Sequence, residues 1–284
     1  MFRDDEFKGK ANVVKESRTG SVLETVSWPM YGVLRRTMRR LFWAVLSRTA
    51  KGKKIRVRLA SGDAFVVRVG DQISRFVYEQ GCHEPELASK LMPFIKPGMT
   101  VFDVGANIGC YTVLMARLVG PSGSVHAFEI NENVIDLLEE NIRVSGVNNV
   151  TIVRKAVART SGEAEFLVPG TGDEGEGSLR KSDRYVAASV IKVPTISLDD
   201  YVYESGIKSV DVIKIDVEGG EYEAFEGANT LLGRRVKPVI MFEALDTACN
   251  SFGITWLDVL ENLRSRGYRI HQGDTCNFFA TPLE

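Results

Sequence analysis

The chain has 284 residues, 44% of them hydrophobic, with a formal net charge of -1 at pH 7; this is enough apolar content to bury a full core and too much for a disordered polymer. Near neutrality hides an asymmetry, because residues 1–58 hold 15 Lys and Arg against 5 Asp and Glu while the remainder holds 21 against 32, so a basic arm precedes an acidic body. The longest apolar run, Leu41 to Leu46, is far short of the ~20 residues that cross a bilayer, and no signal-peptide pattern opens the chain, which predicts a cytoplasmic protein.

In chain order, the first twenty residues are polar, lack a periodic apolar pattern and are expected to be disordered. From Met30 to Arg48, Leu34, Met38, Leu41, Phe42 and Val45 share one helical face while Arg35, Arg36, Arg39 and Arg40 fall elsewhere. That is an amphipathic basic helix, suited to docking on its own domain, to binding a partner or, with Trp28 and Trp43, to peripheral contact with an anionic membrane. "KIRVRL" and "AFVVRV" then alternate about Ser61-Gly62-Asp63, as a hairpin does.

Beyond the hairpin the rhythm becomes strand then helix. Strands are predicted at Thr100 to Val104, Ser124 to Glu129, Val150 to Val153, Val210 to Ile215 and Val239 to Glu243. Helices are predicted at Tyr111 to Leu118, Val134 to Val144, Tyr222 to Leu232 and Trp256 to Arg266. Such alternation implies an α/β fold, a mostly parallel sheet with helices on both faces. The terminal "YRIHQGDTCNFFATP" reads as an antiparallel hairpin about Gly-Asp, and the Gly-rich, charged Pro169 to Asp183 as a loop. The scattered Cys82, Cys110, Cys249 and Cys276 suit reduced thiols.

Function is concentrated in "VFDVGANIGCYT". Asp103 ends a strand, and Gly105 and Gly109 let the following backbone approach a ligand where a helix begins. The dinucleotide fingerprint G-x-G-x-x-G is missing, with Ala106 and Asn107 in its place. A carboxylate aimed into such a crevice repels phosphate and attracts an ammonium or sulfonium group. Glu129 closes the next strand, 26 positions on, where α/β folds grip a ribose diol. A nucleoside with a cationic tail follows, and S-adenosylmethionine has both features.

Three blocks in order, "VFDVGANIGCYT", "TISLDDY" and "DVIKIDVEGGEYEAFEGA", make the stretch from Glu84 to Glu243 resemble the FkbM-type family of S-adenosylmethionine-dependent methyltransferases. The resemblance implies a Rossmann-like class I methyltransferase sheet over residues 84–284, preceded by a hairpin extension at 53–83 and the basic arm at 1–52. It implies that Asp103, Gly105, Ala106, Asn107 and Gly109 line the methionine end of the cofactor. Glu129 would take the ribose hydroxyls, Ala156 would sit by the adenine, and Asp216 with Glu218 would border methyl transfer. O-methylation of a sugar, glycolipid or secondary-metabolite hydroxyl is the implied reaction, with a small-molecule or glycan acceptor. Ile130 departs from the proline that often follows the ribose acid in such enzymes.

A general base within reach of an acceptor hydroxyl would assist the transfer. Asp216 is the first choice, ahead of Glu218, Glu243 at the end of "PVIMFE" and His83 beside Glu84. His126 reads as a packed bystander, and no His, Asp or Glu triplet has metal-binding spacing, so no metal is expected. Competing readings fare worse. A nicotinamide oxidoreductase needs G-x-G-x-x-G at a strand-to-helix turn, whereas here that spacing occurs only at Gly170 to Gly175 within the charged loop, and the chain lacks Tyr-x-x-x-Lys; base methylation lacks an Asn/Asp-Pro-Pro-aromatic stretch, so nucleic acid is not expected as a partner; and a non-catalytic binding module would not need Asp103, Glu129, Asp216 and Glu218 together.

Overall fold

The computed structural model describes residues 22–24, 33–169, 177–179 and 187–283. The N-terminal part contains β1 (Val22–Glu24), α1 (Val33–Thr49), β2 (Lys54–Arg58), β3 (Ala64–Arg68), α2 (Gln72–Gln80) and α3 (Pro85–Leu91). β2 and β3 form the expected hairpin, and β1 joins β2 in parallel. Trp28 and all of the first twenty residues, expected to be disordered, lie outside the described residues.

Helix α1 docks through a different face from the one its apolar stripe suggests. Trp43, 5% exposed, packs with Val57, Phe65 and Tyr78 of the extension and with Val134 and Leu137, while Met38, Leu41 and Val45 stay outside at 36%, 61% and 53% exposure. The aromatic ring buries more area than any of the aliphatic residues, so it sets the docked face. Arg39 lies over the Tyr78 ring and reinforces it. Buried Asn141 ties the hairpin to the main layer: its Oδ1 accepts from the Val66 amide and its Nδ2 donates to the Val66 carbonyl.

The main layer runs β4 (Thr100–Val104), α4 (Cys110–Val119), β5 (Ser124–Phe128), α5 (Glu132–Ser145), β6 (Val150–Val153), β7 (Ala156–Val157), β8 (Gly162–Pro169) and β9 (Ala187–Ile196). It continues through α6 (Leu198–Glu204), β10 (Val212–Ile215), α7 (Glu221–Glu226), α8 (Asn229–Leu232), β11 (Val239–Glu243), α9 (Asp246–Cys249), α10 (Trp256–Ser265), β12 (Tyr268–Gln272) and β13 (Asn277–Pro282). Seven strands form one sheet in the order β12-β13-β11-β10-β4-β5-β6. The five strands from β11 to β6 are parallel, and β12 and β13 supply the antiparallel edge expected from the terminal hairpin.

Two details depart from the sequence reading. β8 and β9 pair as a long hairpin in a small sheet with β7; Pro194 inside β9 disguises it, because proline argues against a regular strand. The helix expected over Tyr222 to Leu232 is two short ones, broken where a Cβ on Gly227 would meet the Ala158 carbonyl oxygen at 2.3 Å. Asp199 of "TISLDDY" accepts from the Thr230 and Leu231 amides at 2.7 and 2.8 Å, capping α8 from across the fold. Among the described residues no helix is long and apolar enough to cross a membrane.

Candidate active site

The register of β4 and β10 creates the site. Asp103 and Lys214 are partners across these two central strands, and Asp216 follows two positions later, so all three side chains leave one face of the sheet. Lys214 is buried, with Nζ 3.3 Å from Asp216 Oδ2 and 3.7 Å from Asp103 Oδ1, and it donates to the Gly105 carbonyl at 2.9 Å. The Tyr111 ring lies 5.5 Å from the same ammonium. Burial alone would push the lysine pKa down; Asp216 and then Asp103 outweigh it and hold the ammonium charged. Asp103 accepts from Thr112 Oγ1 at 2.5 Å, while its buried Oδ1 has no hydrogen-bond partner. Burial raises its pKa, and Lys214 only partly opposes this.

After β4 the chain turns through Gly105 at φ 77°, Asn107 at φ 50° and Gly109 at φ 91° into α4. A Cβ at Gly105 would stand 1.8 Å from the Asp216 carbonyl oxygen, so the two strand-end loops touch backbone to backbone. Glu129 locks this loop to the next strand end. Its Oε2 accepts from the Asn107 amide and its Oε1 from the Ile130 and Asn131 amides, each at 2.8 Å. A carboxylate has about four lone-pair directions, so acceptor capacity remains for a diol.

A crevice opens over these loops. One end is apolar, walled by Ile130, Ala156, Val157, Phe166 and Leu179; the other is polar, with His83, Tyr111, Lys214 and Asp216. Gly105, Ala106, Asn107, Glu129 and Glu218 line the space between or beside them. Asp103 lies outside the lining, fully buried behind Lys214. Gly109 also lies outside it, as the N-cap of α4 against Leu138. Glu243 stands at the end of β11 near the Cys276 thiol, away from the crevice wall.

The polar end is built from strained backbone. Glu84, Asn107 and Glu218 are the non-glycine residues with positive φ among those described, and all three adjoin this space. Such conformations cost about 1–3 kcal/mol each and persist where the surroundings enforce them. For the Glu218 loop the enforcing group is Glu221, whose buried Oε1 accepts from the Val217 and Gly219 amides at 3.0 and 3.3 Å. Burial lifts the Glu221 carboxyl to about 7, against the pull of those hydrogen bonds. Ser178 donates to the Glu218 carbonyl from above.

His83 completes this end. Its Nδ1 is buried without a hydrogen-bond partner, its Nε2 lies 3.8 Å from Glu84 Oε2, and Tyr111 packs edge-on to its ring. Burial lowers its pKa and keeps the ring neutral near pH 7. His126 instead hydrogen-bonds Tyr201 inside an aromatic cluster with Phe102. Among the described residues no group of three or more His, Cys, Asp or Glu side chains could hold a metal ion.

Acid groups at Glu129, Asp216 and Glu218 beside an apolar wall fit a cationic nucleoside, with Asp103 facing the Lys214 ammonium beneath them. The domain model described as "Methyltransferase FkbM domain" matches residues 103–270, more than half of the chain. The chain belongs to the FkbM methyltransferase family. The central sheet, five parallel strands with an antiparallel hairpin at one edge, has the layout that the sequence resemblance implies. The chain is 29% identical over 171 residues to the 31-O-demethyl-FK506 methyltransferase FkbM of Streptomyces tacrolimicus, covering 51% of this chain and 65% of that one. It is 27% identical over 169 residues to the hexuronic acid methyltransferase AglP of Haloferax volcanii, covering 59% and 65%. It is 26% identical over 149 residues to the 2-O-methyltransferase NoeI of Sinorhizobium fredii, covering 48% and 60%. The matched region thus spans less than two thirds of each relative's length. A solved S-adenosylmethionine-dependent O-methyltransferase of Thermotoga maritima superposes with a TM-score of 0.43 at 15% identity, covering 84% of this chain and 96% of that one.

Lys214, Thr112 and Glu221 were not singled out from sequence. The lysine had a signal: it interrupts a strand otherwise made of Val and Ile, where both faces are buried and a charge needs a partner.

Proposed function

We propose that this protein transfers a methyl group to a hydroxyl of a sugar, glycolipid or secondary metabolite. The observation that carries the reading is the crevice, which Glu129, an apolar wall at Ala156 and His83 line together, the Nδ1 of that imidazole being buried and unpartnered. Relatives named as a 2-O-methyltransferase, a hexuronic acid methyltransferase and a demethyl-FK506 methyltransferase support an oxygen acceptor.

When bound, S-adenosylmethionine supplies a methyl group activated by positively charged sulfur. Ala156, Val157, Phe166 and Leu179 would enclose the adenine, and Glu129 would accept from the ribose. The loop from Gly105 to Asn107 would bring backbone against the methionine portion. Asp103 contributes through the field it sets up with Lys214 and not by contact.

For the proton, His83 is better placed than Asp216. The Asp216 carboxylate is committed to the Lys214 ammonium, whereas His83 is neutral and its Nδ1 is unengaged. Glu84 near Nε2 favours the tautomer with the proton on Nε2, which makes Nδ1 the basic nitrogen; because Nδ1 is buried, accepting the hydroxyl proton requires the ring to turn toward the acceptor. Asp216 and Glu218 then border and orient the acceptor, and Glu243 takes no part. A screen with labelled S-adenosylmethionine across glycan and metabolite hydroxyls tests the reaction. His83→Asn should lower turnover by about 10²-fold or more with cofactor affinity retained; full turnover in that variant would reject the assignment.

The outer face of α1 supports peripheral contact with an anionic membrane. Met38, Leu41 and Val45 are exposed on a helix with five arginines and no acidic residue. Leu41→Glu should abolish flotation with phosphatidylglycerol vesicles; undiminished flotation would refute the contact.

A further inference from the structure

The extension carries a second cleft, between α1 and α2, whose charge is opposite to that of the crevice. Arg40, Arg48, Lys51 and Arg75 line it, together with Trp43, Phe76 and one acid, Asp71. Two acids belong to the same elements, and neither offers its charge to the cleft freely. Asp71 is buried and caps α2 by accepting from the Ser74 amide. Glu79 is buried below the rim, with its oxygens 3.0 Å from Arg40 Nε and 2.7 Å from Arg75 Nε.

That last arrangement resembles a built anion site. Glu79 holds both guanidinium groups through Nε alone, which fixes their planes and leaves the terminal Nη donors without a partner among the described residues. Arg48 and Lys51 have no acidic partner among the described residues either. Oriented guanidinium forks beside an ammonium match the several oxygens of a phosphate.

The cleft adjoins the methyl-transfer end of the crevice. Phe76 lines the cleft and packs against His83 with ring centroids 6.3 Å apart, while Ile73, on the same helix, lines the crevice. Helix α2 is therefore a shared wall. We propose that the cleft binds a phosphate group carried by the methyl acceptor, so that the acceptor is anchored at Arg40, Arg75, Arg48 and Lys51 and presents its hydroxyl to His83. This rests on the crevice being the site of methyl transfer. It adds a substrate class, phosphorylated or phosphate-linked sugars and lipids, that the crevice does not specify.

Calorimetry on the full chain tests it with inorganic pyrophosphate and glucose 1-phosphate as probes, alongside S-adenosylmethionine as an independent titrant. The double variant Arg48→Glu, Lys51→Glu leaves the Glu79 pairs intact. It should weaken the phosphate probes at least about ten-fold while changing cofactor affinity by less than about two-fold. Arg75→Gln should weaken them as well. Failure of wild-type protein to bind either probe or dihexanoylphosphatidic acid, or equal binding by wild type and double variant, would overturn the proposal. Phosphate binding without S-adenosylmethionine binding would instead overturn the reading of the crevice and leave the anion site standing. Dihexanoylphosphatidic acid, a lipid phosphate used below its micelle concentration so that the α1 stripe meets no bilayer, forms the third arm. Charge-dependent binding there, without glucose 1-phosphate binding, places the phosphate on a lipid; the reverse places it on a soluble sugar.

Discussion

The Lys214 ammonium stands 3.3 Å from the Asp216 carboxylate at the mouth of the crevice and 3.7 Å from that of Asp103 behind it. One buried cation therefore joins the two strand ends that carry the acidic motifs. It also limits what each acid can do. Asp103 faces the ammonium from the buried side, and Asp216 has one carboxylate oxygen engaged by it.

Replacing Lys214 by Met should destabilise the protein by about 3–5 kcal/mol, because it strands Asp103 in the interior without its counter-charge. Urea unfolding at neutral pH measures this. A loss below about 1 kcal/mol would show that the ion pair contributes little.

Gly105→Ala should cost about 1–3 kcal/mol from the left-handed backbone alone and more from overlap, since the new Cβ would sit 1.8 Å from the Asp216 carbonyl oxygen. The loop can relieve that clash only by moving away from the cofactor space. S-adenosylmethionine titration should show affinity weakened by at least about ten-fold; an unchanged affinity would mean that the loop does not contact the cofactor.

At Glu129 even an isosteric change should fail. In Glu129→Gln an NH2 group must face either the Asn107 amide or the Ile130 and Asn131 amides, all of them donors. The mismatch should cost about 1–3 kcal/mol and lower cofactor affinity, readable by thermal unfolding with and without S-adenosylmethionine.

Glu221 gives a pH signature. Its carboxyl sits at about 7 in the fold against an ordinary 4.5, so between these values the folded state binds the extra proton. Its contribution to stability is then greatest at low pH, falls as pH rises through the window and is constant above it, a change of up to ~3 kcal/mol. Glu221→Gln keeps an oxygen for the Val217 and Gly219 amides and carries no titrating proton. Unfolding free energies of wild type and variant, compared from about pH 5 to about pH 8, should diverge in favour of the variant. Parallel curves would place the Glu221 carboxyl in the normal range.

Much of this architecture is legible without coordinates. Alternation of period 2 with period 3.6 defines the parallel sheet, and the Gly-Asp turn defines its antiparallel edge, because both are local consequences of side-chain direction. The loop after β4 and the acid ending β5 are legible for the same reason: strand ends in an α/β sheet collect at one crevice. What escapes local pattern is which long-range partner a charged or turn-forming residue meets. Asp199 looks like part of a helix start and serves to cap a helix some thirty residues later.

The amino-acid sequence by itself determined the sheet, the family and that Glu129, Asp216 and Glu218 lie at strand ends, since these follow from periodicity and from short motifs whose members are neighbours in the chain. Tertiary structure alone decided that Lys214 binds Asp103 and Asp216, that α1 docks by Trp43 and leaves its aliphatic stripe outside, and that His83 reaches the polar end of the crevice. The reason is physical: strand register and the competition among faces for burial fix those contacts, and both depend on distant parts of the chain being brought together.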